Sequence, residues 1–222
     1  MQWLMLLLWG AVSVFGARAK ARALFVRTLI TAGLAVSMLS QLWLLRLDGQ
    51  LTLATGLPLH LCGLFGLLSV PLLWRAPSWL MDFSILLGAP CAFLALCFPA
   101  VIGSANQQLM TLAFYRLHVL ILCVPLLLIK EGKPLPEDPR MAFFLGNGYL
   151  LLVSAANRLL QTNYLFLRAA PAGTPLEPLF ARGTGFYVCA LEMLCMLMMA
   201  WLSALCRYLE GRHAAAAIAE NT

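Results

Sequence analysis

The sequence predicts an all-α, polytopic membrane helix bundle with seven transmembrane helices, or six as the smaller alternative, its N-terminus outside and its C-terminus in the cytoplasm. Three observations predict this. The 222-residue chain is 62% hydrophobic and 11% charged, with a mean hydropathy of +0.88, a balance unlike that of a water-facing globule with one core. Apolar windows recur near the roughly 20 residues that cross about 30 Å of hydrocarbon. Basic residues gather in alternate connections, as the positive-inside rule requires.

In chain order the windows are Met1 to Gly16, Thr28 to Arg46, Leu57 to Trp74, Trp79 to Ile102, Gln108 to Ile129, Met141 to Leu160 and Gly185 to Cys206. The first is short enough for a signal peptide, but no basic residue precedes its apolar stretch and all the charge follows it, so a retained helix is expected. Arg18, Lys20, Arg22 and Arg27 then set the cytoplasmic side. Arg75, the Lys130 to Arg140 loop, Arg207 and Arg212 fall on that same side, whereas Arg46, Arg168 and Arg182 fall outside.

The segment KEGKPLPEDPR has three prolines and mixed charge, which suits an extended cytoplasmic connector. The other long connection, Gln161 to Thr184, interleaves apolar and polar residues outside the membrane and is a candidate lid. Residues 1–206 read as a single transmembrane domain and 207–222 as a short cytoplasmic tail, in which His213 is a solvated residue. The first three and last three helices share no repeated motif.

Composition also excludes some functions. The formal charge of +6 is explained by cytoplasmic flanks facing anionic head groups, and no basic stripe alternates with aromatics, so nucleic acid is not an expected partner. All seven cysteines lie within or at the end of apolar windows, which argues against a disulfide framework. Only two histidines, His60 and His118, lie in those windows, and HxxxH and HExxH spacings are missing, so no metal or other cofactor is expected.

Chemistry is expected where polar groups enter the oily runs. A charge at the bilayer centre costs roughly 2.5 to 3.5 kcal/mol even on insertion scales, which makes Arg116, His118, Arg158 and Glu192 functional candidates. With a rise of 1.5 Å per residue, His118 lies about 15 Å below Gln108 and Glu192 about 10 Å below Gly185, depths at which they can meet in the outer half of the bundle. Helical spacing puts Tyr115 on the face of His118 and turns Arg116 away, leaving it to an acid of its own, a lipid phosphate or a packing contact. Asp82, near the cytoplasmic start of its helix, suits an ion pair with Arg75 at the inner interface.

A buried imidazole can act as general base on a thiol or hydroxyl when a carboxylate or amide fixes its tautomer, a combination that supports acyl transfer. Glu192, Asn157 and Tyr115 are candidates for the fixing role. The competing readings are a non-catalytic carrier, whose polar groups line a cavity for a lipid or small solute, and a structural partner whose buried groups only join helices.

The segment YRLHVLILCVPLLLIKEGKPLPEDP resembles the region around the proposed catalytic histidine of the transmembrane protein 164 family. LPLHLC at Leu57 to Cys62, the Phe98–Pro99 pair, TNYLFLRAAP at Thr162 to Pro171 and FYVCALE at Phe186 to Glu192 are similar to the related bacterial YwaF-like integral membrane family. Together they span roughly Leu57 to Leu202. The resemblance implies a bacterial inner-membrane protein acting on phospholipid or lysophospholipid, as an acyltransferase or acyl hydrolase with a Cys and His pair. His118 takes the place of the family's histidine. The family's proline, cysteine, histidine order appears here as Pro58, Leu59 and His60, and the nearest thiol is Cys62. The expected catalytic set is therefore His118, Cys62 and Glu192, with His60, Tyr115, Asn157, Arg158, Asn163 and Tyr164 contacting substrate and Arg158 holding its phosphate by a bidentate fork.

Overall fold

The computed structural model describes residues 20–219 apart from 137 and 172, with the side chains of residues 23–211. The window Met1 to Gly16 lies outside the described residues. Every regular element among the described residues is helical. Helix α1 is Lys20–Leu47 and α2 is Leu61–Arg75. Helix α3, Ser78–Cys97, is α-helical at Ser78–Phe83, a π turn at Ser84–Gly88 and α-helical again at Ala89–Cys97. Helix α4 is Gln107–Lys130, α5 is Arg140–Leu160, α6 is the short Glu177–Phe180, and α7 is Thr184–Ala219.

Five of these are long and apolar enough to cross a membrane: Ala23–Leu47 of α1, α3, α4, α5 and Thr184–Gly211 of α7. Helix α2, with 15 residues, rises about 22 Å and is shorter than a full span. The sequence window starts at Leu57, but the helix starts only after extended His60 (φ −71°, ψ 147°), with the Leu59 amide turned back onto the Leu57 carbonyl around Pro58. The last helix runs past Cys206 to Ala219, so the expected tail continues as helix there.

Helix α4 is the hub of the bundle. It packs against α1, α2 and α3, and its Leu117, Leu120, Ile121, Val124, Leu127 and Leu128 sit in one apolar core with Phe65, Leu72, Leu73, Leu86 and Leu87. Helices α5 and α7 are peripheral, with broadly exposed apolar faces that include Leu151, Leu152 and Leu159 on α5 and Leu197 and Trp201 on α7. A stripe exposed in this way suits lipid contact.

The π turn has a local cause and a packing role. Pro90 has no N–H for the Leu86 carbonyl, and a π turn is one way a helix absorbs such a break. The Phe65 ring of α2 lies directly on Gly88, where a Cβ would stand 2.6 Å from Phe65 Cδ1, so only glycine admits the ring. The turn contacts both α4 and α7 and lies between them.

At the end of the bundle carrying Arg75 and Lys130, Arg27 of α1 donates to the Leu73 carbonyl of α2 at 2.6 Å and forms an ion pair with Glu131 after α4, clipping three helices together. Asp82 lies toward the foot of α7, within electrostatic range of Cys206, as do Arg207 and Glu210.

Candidate functional site

His118 is buried, 3% exposed, in the middle of α4. Its Nδ1 lies 2.7 Å from the Phe114 carbonyl one turn earlier, and the Phe114 ring packs on the imidazole at 4.1 Å. A carbonyl only accepts, so Nδ1 carries the proton and Nε2 presents its lone pair. The group that fixes the tautomer is thus on the same helix. Tyr115 is edge-on to Phe114 at 5.6 Å, so Phe114 touches both rings.

Cys62 opens α2 and packs against the core that contains Leu117. Gly66, one turn further along α2, faces Leu117 of α4, where an added Cβ would stand 3.0 Å from the leucine Cδ1. Both helices start at the same end of the bundle, so Cys62 sits about one turn, roughly 5 Å, nearer that end than His118. No hydrogen bond joins the thiol to the imidazole among the described residues. Cys91 of α3 lies within electrostatic range of Cys62 and of Cys195. Glu192 sits within range of Cys195 on half-exposed α7, and the π turn stands between that helix and α4.

Arg116 turns to α1. Its Nε and Nη2 donate to Ser37 Oγ at 2.7 Å and Ser40 Oγ at 3.2 Å, two hydroxyls three residues apart on α1. The arginine therefore ties α4 to α1.

The other polar residues converge at the end of the bundle where α2 and α4 begin. Asn157, 2% exposed, uses its Oδ1 to accept from Thr162 Oγ1 and the Tyr164 amide, both at 2.8 Å, and its Nδ2 to donate to the Tyr164 carbonyl at 2.8 Å. These bonds fold the chain back over the end of α5. Gln161, Leu165 and Phe166 all take left-handed φ values of 53°, 56° and 57°. Such values are uncommon outside glycine and persist only when surrounding contacts over-determine them. Asn163 supplies more of those contacts, accepting from the amides of Arg168 and Ala169 and donating to the Ala169 carbonyl. Tyr164 is buried and reaches across to the loop before α2, donating to the Leu53 carbonyl at 2.6 Å and accepting from the Leu57 amide. Burial pushes its phenol above the ordinary range, so it stays protonated.

The fold-back shapes an open groove of about 540 Å³ lined by Ala54, His60, Gln161, Thr162, Asn163, Phe166, Arg168 and Ala169. His60 is held between Tyr164 and Phe166 at ring distances of 5.1 and 5.0 Å, and burial keeps its imidazole below the ordinary pKa of 6.5. Arg158, one residue past buried Asn157, is exposed on the outside of α5 and does not line the groove. The guanidinium in the groove is that of Arg168, which the sequence marks only as a charge outside the membrane. It lies inside the TNYLFLRAAP motif, which was the available signal.

The sequence profile of the TMEM164 family matches residues 1–203. The chain belongs to the TMEM164 family. The match includes the first two hydrophobic windows, for which no motif stood out, and it makes this an integral membrane protein of that family. No curated protein and no solved structure matches the chain.

Proposed function

We propose that this TMEM164-family protein transfers or hydrolyses a fatty acyl ester of a membrane phospholipid, with His118 as the general base. The observation that carries this reading is a buried imidazole whose Nδ1–H is committed to Phe114 and whose Nε2 is left for proton transfer. In the step itself Nε2 takes the proton of an acceptor hydroxyl, that of a lysophospholipid for transfer or of water for hydrolysis. The acceptor oxygen attacks the acyl carbonyl, and the imidazolium returns the proton to the departing glycerol oxygen as the tetrahedral intermediate collapses. Where the acyl group passes through the protein, Cys62 is the nearest expected thiol, and it must move by about one turn to receive it. The positive-inside rule sets the groove end in the outer leaflet.

The experiment is acyl transfer by the purified chain from a fluorescent phospholipid to a lyso acceptor. His118→Ala is expected to lower the rate by about 100-fold or more, in line with loss of a general base. Equal transfer by both proteins overturns the role of His118. A second reading, a lipid-binding protein without catalysis, is favoured by the missing bond between Cys62 and His118. Lipid that binds the wild type without any transfer selects it.

A further inference from the structure

We infer that the groove beside Arg168 is an anion site that holds the phosphate of a phospholipid head group while the acyl chains run along the exposed face of α5. Three observations support this placement. The first is the state of the guanidinium. Arg168 Nη1 is committed to the Asn157 carbonyl at 3.3 Å and Gln161 Oε1 at 3.1 Å, and among the described residues its Nε and Nη2 have no protein partner. Nη1 caps the Asn157 carbonyl in the last turn of α5, and the Nε–Nη2 edge is held in place for a bidentate acceptor. No carboxylate among the described residues pairs with it.

The second is the company it keeps. The ring nitrogens of His60 make no hydrogen bond among the described residues, so the groove offers a further donor besides the guanidinium. Asn163 and Thr162 have their side-chain groups turned onto their own loop, which makes them the frame of the site and not its donors. The volume of about 540 Å³ exceeds what a bare phosphate fills and leaves room for the alcohol esterified to it.

The third is position. Leu159, 83% exposed, and Leu152 lie seven residues apart on one face of α5, and the chain runs from Leu159 directly into Gln161 and Thr162 of the groove lining. A charged head with attached chains meets a cation and an apolar strip in that order.

This inference rests on the proposed function only in taking a phospholipid as the substrate. The test is calorimetric titration of the full chain in neutral detergent with dioctanoyl phosphatidylglycerol, with dioctanoylglycerol, which lacks the phosphate, and with inorganic phosphate. The phosphatidylglycerol is expected to bind about tenfold or more tighter than dioctanoylglycerol, with Arg168→Gln erasing most of the difference and Arg182→Gln holding within about twofold. Inorganic phosphate binding as tightly as the lipid, with the same dependence on Arg168, identifies a free anion as the source and overturns the head-group assignment. Equal binding of the two lipids, or equal losses from Arg168→Gln and Arg182→Gln, also overturns it. Loss at Arg158→Gln alone moves the phosphate to the outside of α5 and rejects the groove.

Because Arg168→Gln also removes a bond to α5, wild-type protein supplies a second measurement. Phosphatidylglycerol is expected to protect Arg168 from phenylglyoxal, read by peptide mass spectrometry, and unprotected modification rejects the site. Acyl transfer by a protein whose groove binds nothing sinks the groove and spares the reaction. Binding at Arg168 without transfer does the reverse.

Discussion

Removing the Asn157 carboxamide is expected to release the groove while leaving the bundle intact. Asn157→Ala orphans the Thr162 hydroxyl and the Tyr164 amide and leaves the Tyr164 carbonyl with only the Leu167 amide at 3.4 Å, so three bonds of 2.8 Å in a buried setting are lost. At roughly 0.5 to 1.5 kcal/mol net for each bond, the fold-back loses about 1.5 to 4.5 kcal/mol. With 1.4 kcal/mol to each factor of ten, opening of the loop rises on the order of 10- to 2000-fold. Hydrogen exchange by mass spectrometry reads this directly, comparing a peptide over residues 161–171 with one over 117–128 in α4. Faster exchange in the first with the second unchanged is the expected result. Exchange over 161–171 within about threefold of wild type refutes the reasoning, because it means that other contacts hold the left-handed residues. Equal acceleration in both peptides refutes it too, by making the asparagine a global support.

Gly88→Ala drives a Cβ to 2.6 Å from Phe65, a ring that is 1% exposed and backed by Phe83 at 4.8 Å. A net loss of about 1 to 2 kcal/mol is expected, as overpacking exceeds the gain in helix propensity, and an unchanged melting temperature shows that the π turn yields. Arg27→Met strips Glu131 of its ion pair when Oε1 is already without a partner; with both side chains about a fifth exposed, the cost is about 1 to 3 kcal/mol, below that of a fully buried pair. Glu131→Gln added to Arg27→Met is expected to recover part of the fall in melting temperature. His60 is held below its ordinary pKa of 6.5 by burial among Tyr164, Phe166 and the Arg168 groove, so the fold favours the neutral ring. Its contribution to stability is fully present above about pH 6.5 and declines as the pH falls through that value. Melting temperatures in phosphate-free buffer between pH 7.5 and 5 check this, since His60→Gln flattens part of the decline, and parallel profiles for the two proteins contradict it.

The helices were legible because hydrophobicity sets their length. Helices α4 and α5 begin and end within one residue of the windows Gln108 to Ile129 and Met141 to Leu160. The misses occur where local geometry overrides composition. The window starting at Trp79 ran on to Ile102, but the helix stops at Cys97, since Phe98 before Pro99 is forced out of the α region, at φ −128° and ψ 73°. The groove was only partly legible. His60, Asn163 and Tyr164 are legible as site residues and the Gln161 to Thr184 connection as a candidate lid, yet nothing in Gln161, Leu165 or Phe166 announces a positive φ, so the turn that carries Arg168 into the groove is not. Helical spacing shows that Arg116 turns away from His118, but its serine partners, 76 and 79 residues away, cannot be read from the sequence.

The π turn in α3 also has a consequence for rotational phase. A wider turn adds, in effect, one residue to a helix, and one residue is about 100° of rotation. Everything from Ala89 to Cys97 is therefore indexed against the first half of α3 by that insertion. Wound as regular α-helix, the same five residues would swing Cys91 by about 100° away from its place near Cys62 and Cys195, and the wide turn takes up that rotation. The thiol arrangement at the heart of the bundle is thus a matter of counting. It is written in the winding of a five-residue segment and not in the identity of any cysteine.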